Sequence, residues 1–235
     1  MKTLIIIPAY NEAGSIEKVI DNLTENYPEY DYIIINDGST DDTAAICHRR
    51  GYKVLDLPIN LGIGGAVQTG YKYAFRNDYD IAVQMDGDGQ HNPKYLAEMI
   101  ALFDNEDADV VVGSRFVNKE GFQSSAGRRM GICFLSGLGK LLTGVRLRDI
   151  TSGYRLVDRK LIKIFSEDYP GDYPEPEAMV IAAIHGCKIV EYPVVMNERE
   201  SGTSSINLKR SVYYMVKVTL AMIIRRLSFG VRREK

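Results

Sequence analysis

Two aspartates separated by a single glycine, Asp86-Gly87-Asp88, follow the apolar run Ile81–Met85 and lead into Gly89-Gln90-His91. Two carboxylates held this close repel one another unless a cation neutralises them. Oxygen ligands with no cysteine nearby favour Mg²⁺ or Mn²⁺. Such an ion keeps positions open for a diphosphate and, as a Lewis acid, stabilises it as a leaving group. The competing reading is an Asp-Gly turn with solvated acids. His91 reads as a support or cap for the turn rather than as a ligand.

Other polar clusters also follow apolar runs. Pro8-Ala9-Tyr10-Asn11-Glu12 brings a ring and a carboxylate together, suited to stacking on a base and accepting hydrogen bonds from base or ribose. Asp37-Gly38-Ser39-Thr40-Asp41-Asp42 offers Asp37 to a nucleotide and Asp41 as a helix cap. Asn60-Leu61-Gly62-Ile63-Gly64-Gly65-Ala66 resembles a dinucleotide fingerprint, but Val67 stands where that fingerprint needs Gly or Ala. Gly65 to Gly70 imitates a phosphate loop, but Tyr71 stands in place of lysine. What remains is a glycine-rich helix start open to close backbone approach. Gly113-Ser114-Arg115-Phe116, Arg128-Arg129, Arg155 and Arg199 supply arginines for an anion pocket.

The elements that must position these residues alternate. Strands are expected at Thr3–Ile7, Tyr32–Asn36, Val54–Leu57, Ile81–Met85 and Val110–Gly113, and helices at Ser15–Asn26, Asp41–Arg50, Ile63–Phe75 and Pro93–Phe103. Continuous apolar strands joined by helices predict an α/β fold with a parallel sheet covered on both faces. Ligands then bind beyond the carboxyl ends of the strands, where all these motifs fall. From Gly121 the alternation fails. Gln123–Gly144 reads as a loop leading into a helix, Val145–Val157 as short and polar, and Tyr169–Pro176 as turn-rich. Ala178–His185 reads as helix, Lys188–Val194 as strand, Asn197–Ser205 as loop and Ile206–Phe229 as helix.

The 235 residues suit one large α/β domain with a short appendage, and 45% hydrophobic with 26% charged residues argues against disorder. A net charge of −2 argues against a general nucleic-acid binder. Lys209 to Lys235 carries +7, so the rest of the chain carries −9. A basic tail on an acidic body suggests a surface for anionic lipid. Cys47, Cys133 and Cys187 are odd in number and widely spaced, and read as reduced thiols of a cytoplasmic protein. There is no signal-peptide pattern, and no apolar run reaches the roughly 18 residues of a membrane span.

Seven motifs, Pro8–Glu12, Asp37–Asp41, Asn60–Ala66, Asp86–His91, Gly113–Phe116, Thr151–Arg155 and Arg199–Ser204, stand in the order that resembles family 2 glycosyltransferases of the GT-A fold. The resemblance extends over about the first 205 residues and is nearest to enzymes that load polyprenyl phosphates. It implies a Rossmann-like, mostly parallel GT-A sheet flanked by helices. It also implies an inverting transfer from a UDP-, GDP- or dTDP-sugar, with Pro8, Tyr10, Glu12, Asp37, Asp86, Gly87 and Arg199 at the donor. Asp88 and Gln90 would hold Mg²⁺ or Mn²⁺, Arg115 would touch phosphate, and Arg128, Arg129 and Arg155 would serve the acceptor. Ser205 stands where the family often has lysine, which argues against tying the donor to GDP-mannose.

A phosphate acceptor, with a second pKa of about 6, is already anionic near neutral pH and needs alignment rather than a base. Asp149 is therefore either a base for a sugar-hydroxyl acceptor or a group that positions the acceptor. Glu177 reads as a helix-cap or structural acid. The alternatives to a polyprenyl-phosphate transferase are an enzyme extending a cell-surface glycan through a hydroxyl, a nucleotidyltransferase and a non-catalytic nucleotide-binding scaffold.

The expected division is a catalytic domain, 1–205, and a basic amphipathic helix, 206–235. On a helical wheel Arg210, Lys217, Arg225 and Arg232 share one sector and apolar residues crowd the rest. An interfacial helix fits this pattern, placing the protein peripherally at the inner face of the cell membrane. Packing on the protein's own core, or docking to a small membrane protein or a second copy, are the other readings.

Overall fold

The structure, a computed structural model, describes residues 1–118, 126–197 and 208–233. Its elements are β1 (Thr3–Ala9), α1 (Ile16–Asn26), β2 (Asp31–Asn36), α2 (Thr43–Arg50), β3 (Val54–Asp56), α3 (Gly62–Arg76) and β4 (Ile81–Gln84). A 3-10 turn (Pro93–Tyr95) then leads into α4 (Leu96–Asn105), β5 (Val110–Ser114), α5 (Ala126–Thr143), β6 (Arg155–Asp158), α6 (Arg159–Glu167), α7 (Pro174–Ile184), β7 (Ile189–Pro193) and α8 (Leu208–Arg233).

The strands form one seven-stranded sheet in the order β3-β2-β1-β4-β6-β5-β7. All neighbours are parallel except β6, which runs antiparallel between β4 and β5. The mostly parallel sheet is thus as expected, and the five strands read from the alternation all run the same way; the one antiparallel strand falls in the stretch where the alternation fails. β6 escapes the apolar pattern because Arg155 occupies one of its four positions.

Alternation along β1 divides the core. Leu4 and Ile6 face a layer with Tyr71 of α3, Phe165 of α6, Met179 of α7 and Met222 of α8. Ile5 and Ile7 face Ile16 and Ile20 of α1, Cys47 of α2 and Met99 of α4. Helix ends follow local chemistry. Gly51 closes α2 in the left-handed region at φ 69° and donates its N–H to the carbonyls of Cys47 and His48. Asp158 caps α6 by accepting from the Leu161 N–H at 2.8 Å.

α8 docks on the body along one face, where Val218 and Met222 are buried. Arg225 pairs with Glu177 at 2.8 Å and Asp168 at 2.6 Å, and Lys217 pairs with Asp172. Two of the four cations grouped by the helical wheel thus meet the protein's own acids. Among the described residues no helix is long and apolar enough to cross a membrane. Cys47 and Cys187 are buried free thiols, and Cys133 is an exposed one.

Candidate active site

The loops after β1, β2 and β4 converge at the carboxyl edge of the sheet. The first two are laced together. Asn11, at φ 58°, accepts from the Thr40 N–H at 2.8 Å through Oδ1 and donates its own N–H to Ser39 Oγ at 3.0 Å. The Glu12 N–H donates to Thr43 Oγ1 at 2.9 Å, and Glu12 Oε2 accepts from the Ser15 hydroxyl at 2.9 Å. Ser15, at the start of α1, therefore serves this loop instead of capping its own helix. Tyr10 is 47% exposed, free to stack on a planar ligand. Asp37 is buried and accepts the Leu61 N–H at 2.7 Å. Burial lifts its carboxyl above the usual 3.8, against the pull of the Leu61 and Gly62 amides. Burial also opposes ionisation of Asp41, but hydrogen bonds from Thr43 and Ala13 outweigh it and its pKa lies below 3.8. Asp41 serves Thr43 in this way, while the residue at the cap position of α2 is Asp42.

After β4, the Asp86 N–H donates to His91 Nδ1 at 3.0 Å. That bond leaves the ring proton on Nε2, which lies 3.8 Å from Asp86 Oδ2. The imidazole stacks on Tyr154 with centroids 4.9 Å apart, and the Tyr154 hydroxyl donates to the Asn92 carbonyl at 3.0 Å. His91 is thus a buried brace for the acid turn. Asp88 is 2% exposed and accepts the Gln90 N–H at 3.0 Å. Gly153 lies against the turn. A Cβ there would stand 3.2 Å from Gln84 Nε2 and 3.5 Å from Asp86 Oδ2, so a side chain would press on the acid.

The described residues contain no cage of three or more His, Cys, Asp or Glu side chains. Two carboxylates and the Gln90 amide are the oxygen donors at hand, a sparse set that suits Mg²⁺ or Mn²⁺ sharing its shell with substrate phosphate.

Beyond β5, Arg115 and Asp149 form a clamp. Arg115 Nε donates to Asp149 Oδ2 at 2.7 Å, its NH2 group to Oδ1 at 2.7 Å, and its backbone N–H to Oδ2 at 3.1 Å. The Thr151 hydroxyl adds a bond to Oδ1 at 3.1 Å. Asp149 is 0% exposed, and its backbone N–H is held by Glu191 Oε1 at 2.9 Å. Such a bidentate pair is rigid, and removing one partner costs about 3–5 kcal/mol where the pair is buried.

The structure brings Pro8, Tyr10, Glu12, Asp37, Asp86, Gly87, Asp88, Gln90, Arg115 and Asp149 to one edge of the sheet. Arg128 and Arg129 are exposed in the first turn of α5. Arg199 lies outside the described residues. Arg155 departs from the acceptor set: it is 1% exposed on β6, enclosed on the α3–α6–α7 side of the sheet. Its Nε donates to the Ser152 carbonyl at 2.6 Å, while NH1 and NH2 have no partner.

Arg155 belongs to a cluster that the sequence did not disclose. Gln84 Oε1 and the Tyr169 hydroxyl are likewise buried without a partner, and Gln84 is the register neighbour of Arg155. An unsatisfied buried group costs about 1–3 kcal/mol, so several in one place call for an explanation. Glu175, half-buried in the first turn of α7, lies within reach of the Arg155 charge. Burial raises its pKa, with Arg155 and Arg115 opposing and Asp86 adding to the rise. The only sequence signal was the proline on either side of Glu175, which reads first as a turn. Glu177, two residues on, holds Arg225 of α8 and has a structural role.

The family model described as "Glycosyl transferase family 2" matches residues 4–165. The chain is a family 2 glycosyltransferase. Among relatives of this glycosyltransferase, the polyprenol monophosphomannose synthase of Mycolicibacterium smegmatis is 28% identical over 216 residues, covering 88% of this chain and 81% of the relative. The UDP-N-acetylglucosamine–dolichyl-phosphate N-acetylglucosaminyltransferase of Methanococcus voltae is 34% identical over 210 residues, covering 81% and 83%. The crystal structure of glucosyl-3-phosphoglycerate synthase from Mycobacterium tuberculosis with Mn²⁺, UDP-glucose and phosphoglyceric acid superposes with a TM-score of 0.73 at 20% identity. It covers 96% of this chain and 79% of that one, and the likeness establishes the GT-A fold.

Proposed function

We propose that this glycosyltransferase moves a sugar, with inversion, from a nucleoside diphosphate sugar to a polyprenyl phosphate at a membrane surface. The observation that carries this reading is the pairing of the Asp86–Asp88 turn with an arginine clamp whose acid, Asp149, is not free to act as a base. Both oxygens of Asp149 are engaged by Arg115 and Thr151, and its side chain is sealed from solvent. An acceptor hydroxyl needs a base able to turn toward it, whereas a phosphate monoester needs cations to align it. The two relatives' names, one a polyprenol and one a dolichyl-phosphate enzyme, support the same acceptor class.

In this reading Tyr10, Glu12 and Asp37 hold the nucleoside, and Arg199 serves the donor. Asp88 and Gln90 hold Mg²⁺ or Mn²⁺, with Asp86 beside them, braced by His91. When bound, the ion supplies charge stabilisation for the leaving diphosphate. Arg115, locked by Asp149, presents a fixed positive charge to phosphate, and Arg128 and Arg129 draw the acceptor phosphate to the edge of the sheet. The acceptor oxygen then attacks C1 from the face opposite the leaving group, and alignment supplies most of the catalysis.

The membrane reading rests on two neighbouring helices. Met130, Phe134 and Leu141 of α5 are exposed, as are Val212, Tyr213, Val216, Leu220, Ile224 and Leu227 of α8. The two helices touch, and α5 also carries exposed Arg128 and Arg129, so in this reading these exposed apolar side chains lie in a headgroup layer with the arginines at its charged surface. Residues 1–205 form the catalytic unit and 206–235 its membrane-facing appendage.

The deciding assay supplies purified protein with Mg²⁺ or Mn²⁺, a panel of UDP-, GDP- and dTDP-sugars and undecaprenyl phosphate. The expected result is a lipid-linked monophosphate sugar with one nucleoside diphosphate released per transfer. Chelation or Asp88→Ala should lower turnover at least about 1000-fold, the loss of a charge-stabilising group. Release of pyrophosphate, or transfer only to sugar hydroxyls, would overturn the proposal.

A further inference from the structure

Behind the acid turn lies hydrogen-bonding capacity that the fold does not use. Arg155 NH1 and NH2, Gln84 Oε1 and the Tyr169 hydroxyl are all buried without partners. Gln84 Nε2 donates to Asp86 Oδ1 at 3.4 Å, so this cluster touches the catalytic turn directly. It lies on the helix side of the sheet, where the Tyr169 ring packs 5.3 Å from Tyr71. Above it runs the loop before α7. Gly64, in the first turn of α3, donates its N–H to the Gly171 carbonyl at 3.0 Å, and a Cβ at Gly64 would sit 2.0 Å from the Pro170 carbonyl oxygen. That contact fixes the loop, and Pro174 and Pro176 frame Glu175 at its end. Glu175 forms no ion pair with Arg155, whose terminal nitrogens are unpartnered, yet the charges of Arg155, Asp86 and Arg115 all act on it.

The chemistry of this set is mixed. A guanidinium and a phenol donate, while an amide oxygen and a carboxylate accept. A phosphate, all acceptor, would satisfy the first two and be repelled by the others. Sugar hydroxyls, each both donor and acceptor, suit such a mixed set, meeting the half-buried carboxylate directly while the enclosed groups stand behind it. We propose that Glu175, backed by Arg155, Gln84 and Tyr169, binds the hydroxyls of the donor's sugar and so sets which sugar is transferred. Glu175 is the half-open member that meets the sugar, and enclosed Arg155 acts as a positioning residue behind it. This deepens the proposed function and rests on its donor class, but not on its acceptor.

The test therefore reads donor binding without any lipid. Calorimetry with Mn²⁺ compares UDP with UDP-glucose and UDP-N-acetylglucosamine, and GDP with GDP-mannose, on the full chain and on Glu175→Gln. The wild type is expected to bind one sugar nucleotide at least about 10-fold tighter than its bare diphosphate. Glu175→Gln should keep the bare diphosphate within about twofold and lose most of that sugar increment, as expected when a site built around a hydroxyl loses its partner. Tyr169→Phe is the second variant, guarding against a folding defect. It removes an unpartnered hydroxyl, so its melting temperature should hold or rise while the sugar increment falls. Deoxy analogues of the preferred sugar complete the cycle: the hydroxyl that Glu175 meets should matter to the wild type and not to Glu175→Gln. Equal loss of bare diphosphate and sugar nucleotide, unchanged sugar preference in both variants, or a wild type that binds the two forms alike would overturn the proposal and leave the cluster as a water site. Failure of transfer to undecaprenyl phosphate with this binding pattern intact would instead count against the acceptor assignment alone.

Discussion

Asp149 accepts three bonds from Arg115 and one from Thr151, and that arrangement fixes what its replacement should do. Asp149→Asn keeps the shape and removes the charge. Arg115, with 14% of its side chain exposed, then loses its countercharge and its fixed aim. The expected result is a kcat/KM for lipid phosphate lowered about 100-fold, near 3 kcal/mol of lost alignment, with nucleotide binding kept within about threefold. A plot of log kcat against pH should keep its shape. Loss of its acidic limb in the variant would identify Asp149 as a general base instead. At this scale the sequence was informative where chemistry is local. An Asp-Gly-Asp turn after a buried strand carries its meaning in three adjacent residues. It was uninformative where partners come from distant segments. Arg155 read as one more arginine for an anion, and only the pairing of β6 with β4 revealed that it is walled in beside Gln84. Glu175 stood in a proline-rich stretch whose turn signal masked the acid.

At the level of elements, the first half of the chain was legible because each strand is a continuous apolar run and each helix repeats its apolar residues every three or four positions. Leu4–Ile7 and Ile33–Ile35 are buried almost without interruption, as a sheet covered on both faces requires. β6 and α6 were not legible. β6 has four residues, one an arginine, in the stretch read as short and polar, and α6 begins on the cap Asp158 in a stretch to which the sequence reading assigned no element. The glycine-rich start of α3 was recognised as a place of close approach, and the structure supplies the object approached: the 170–171 backbone that leads to Glu175. Gly64→Ala tests that contact. With its Cβ 2.0 Å from one carbonyl oxygen and 2.2 Å from another, backbone must move. Overpacking against backbone of this kind costs about 3 kcal/mol. For a chain of this length that corresponds to a fall in melting temperature of about 6–12 °C. Gly62→Ala, with nothing within 4 Å but a φ of 78°, gives the contrast: its penalty is backbone strain alone and should be the smaller.

For the whole molecule, the proposed place at a membrane surface raises the question of which force would hold it there. A +7 tail on a −9 body suggested attraction to anionic lipid. The folded arrangement redirects part of that charge inward, because Lys217 meets Asp172, and Arg225 meets Asp168 and Glu177. Among the described side chains of α8, Val216, Leu220 and Leu227 are each more than half exposed, alongside exposed Arg226, and α5, which contacts α8, exposes Phe134 and Leu141. Transferring a leucine from water into the acyl boundary is worth about 2 kcal/mol. Leu220→Glu combined with Leu227→Glu should therefore lower the partition coefficient onto vesicles at least about 100-fold, since each 1.4 kcal/mol is a factor of ten. Both positions point away from the packed face of α8, so the melting temperature and nucleotide binding should stay at wild-type values. Raising salt from low to high concentration, or replacing anionic with zwitterionic lipid, should change wild-type binding by about twofold only, because screening weakens charge contacts and leaves apolar burial in place. Sedimentation with vesicles of the two compositions separates the two forces. A binding curve that collapses with salt while tolerating the glutamate pair would return the anchoring role to the basic tail, and would mean that the ion pairs joining α8 to the body open at the membrane surface.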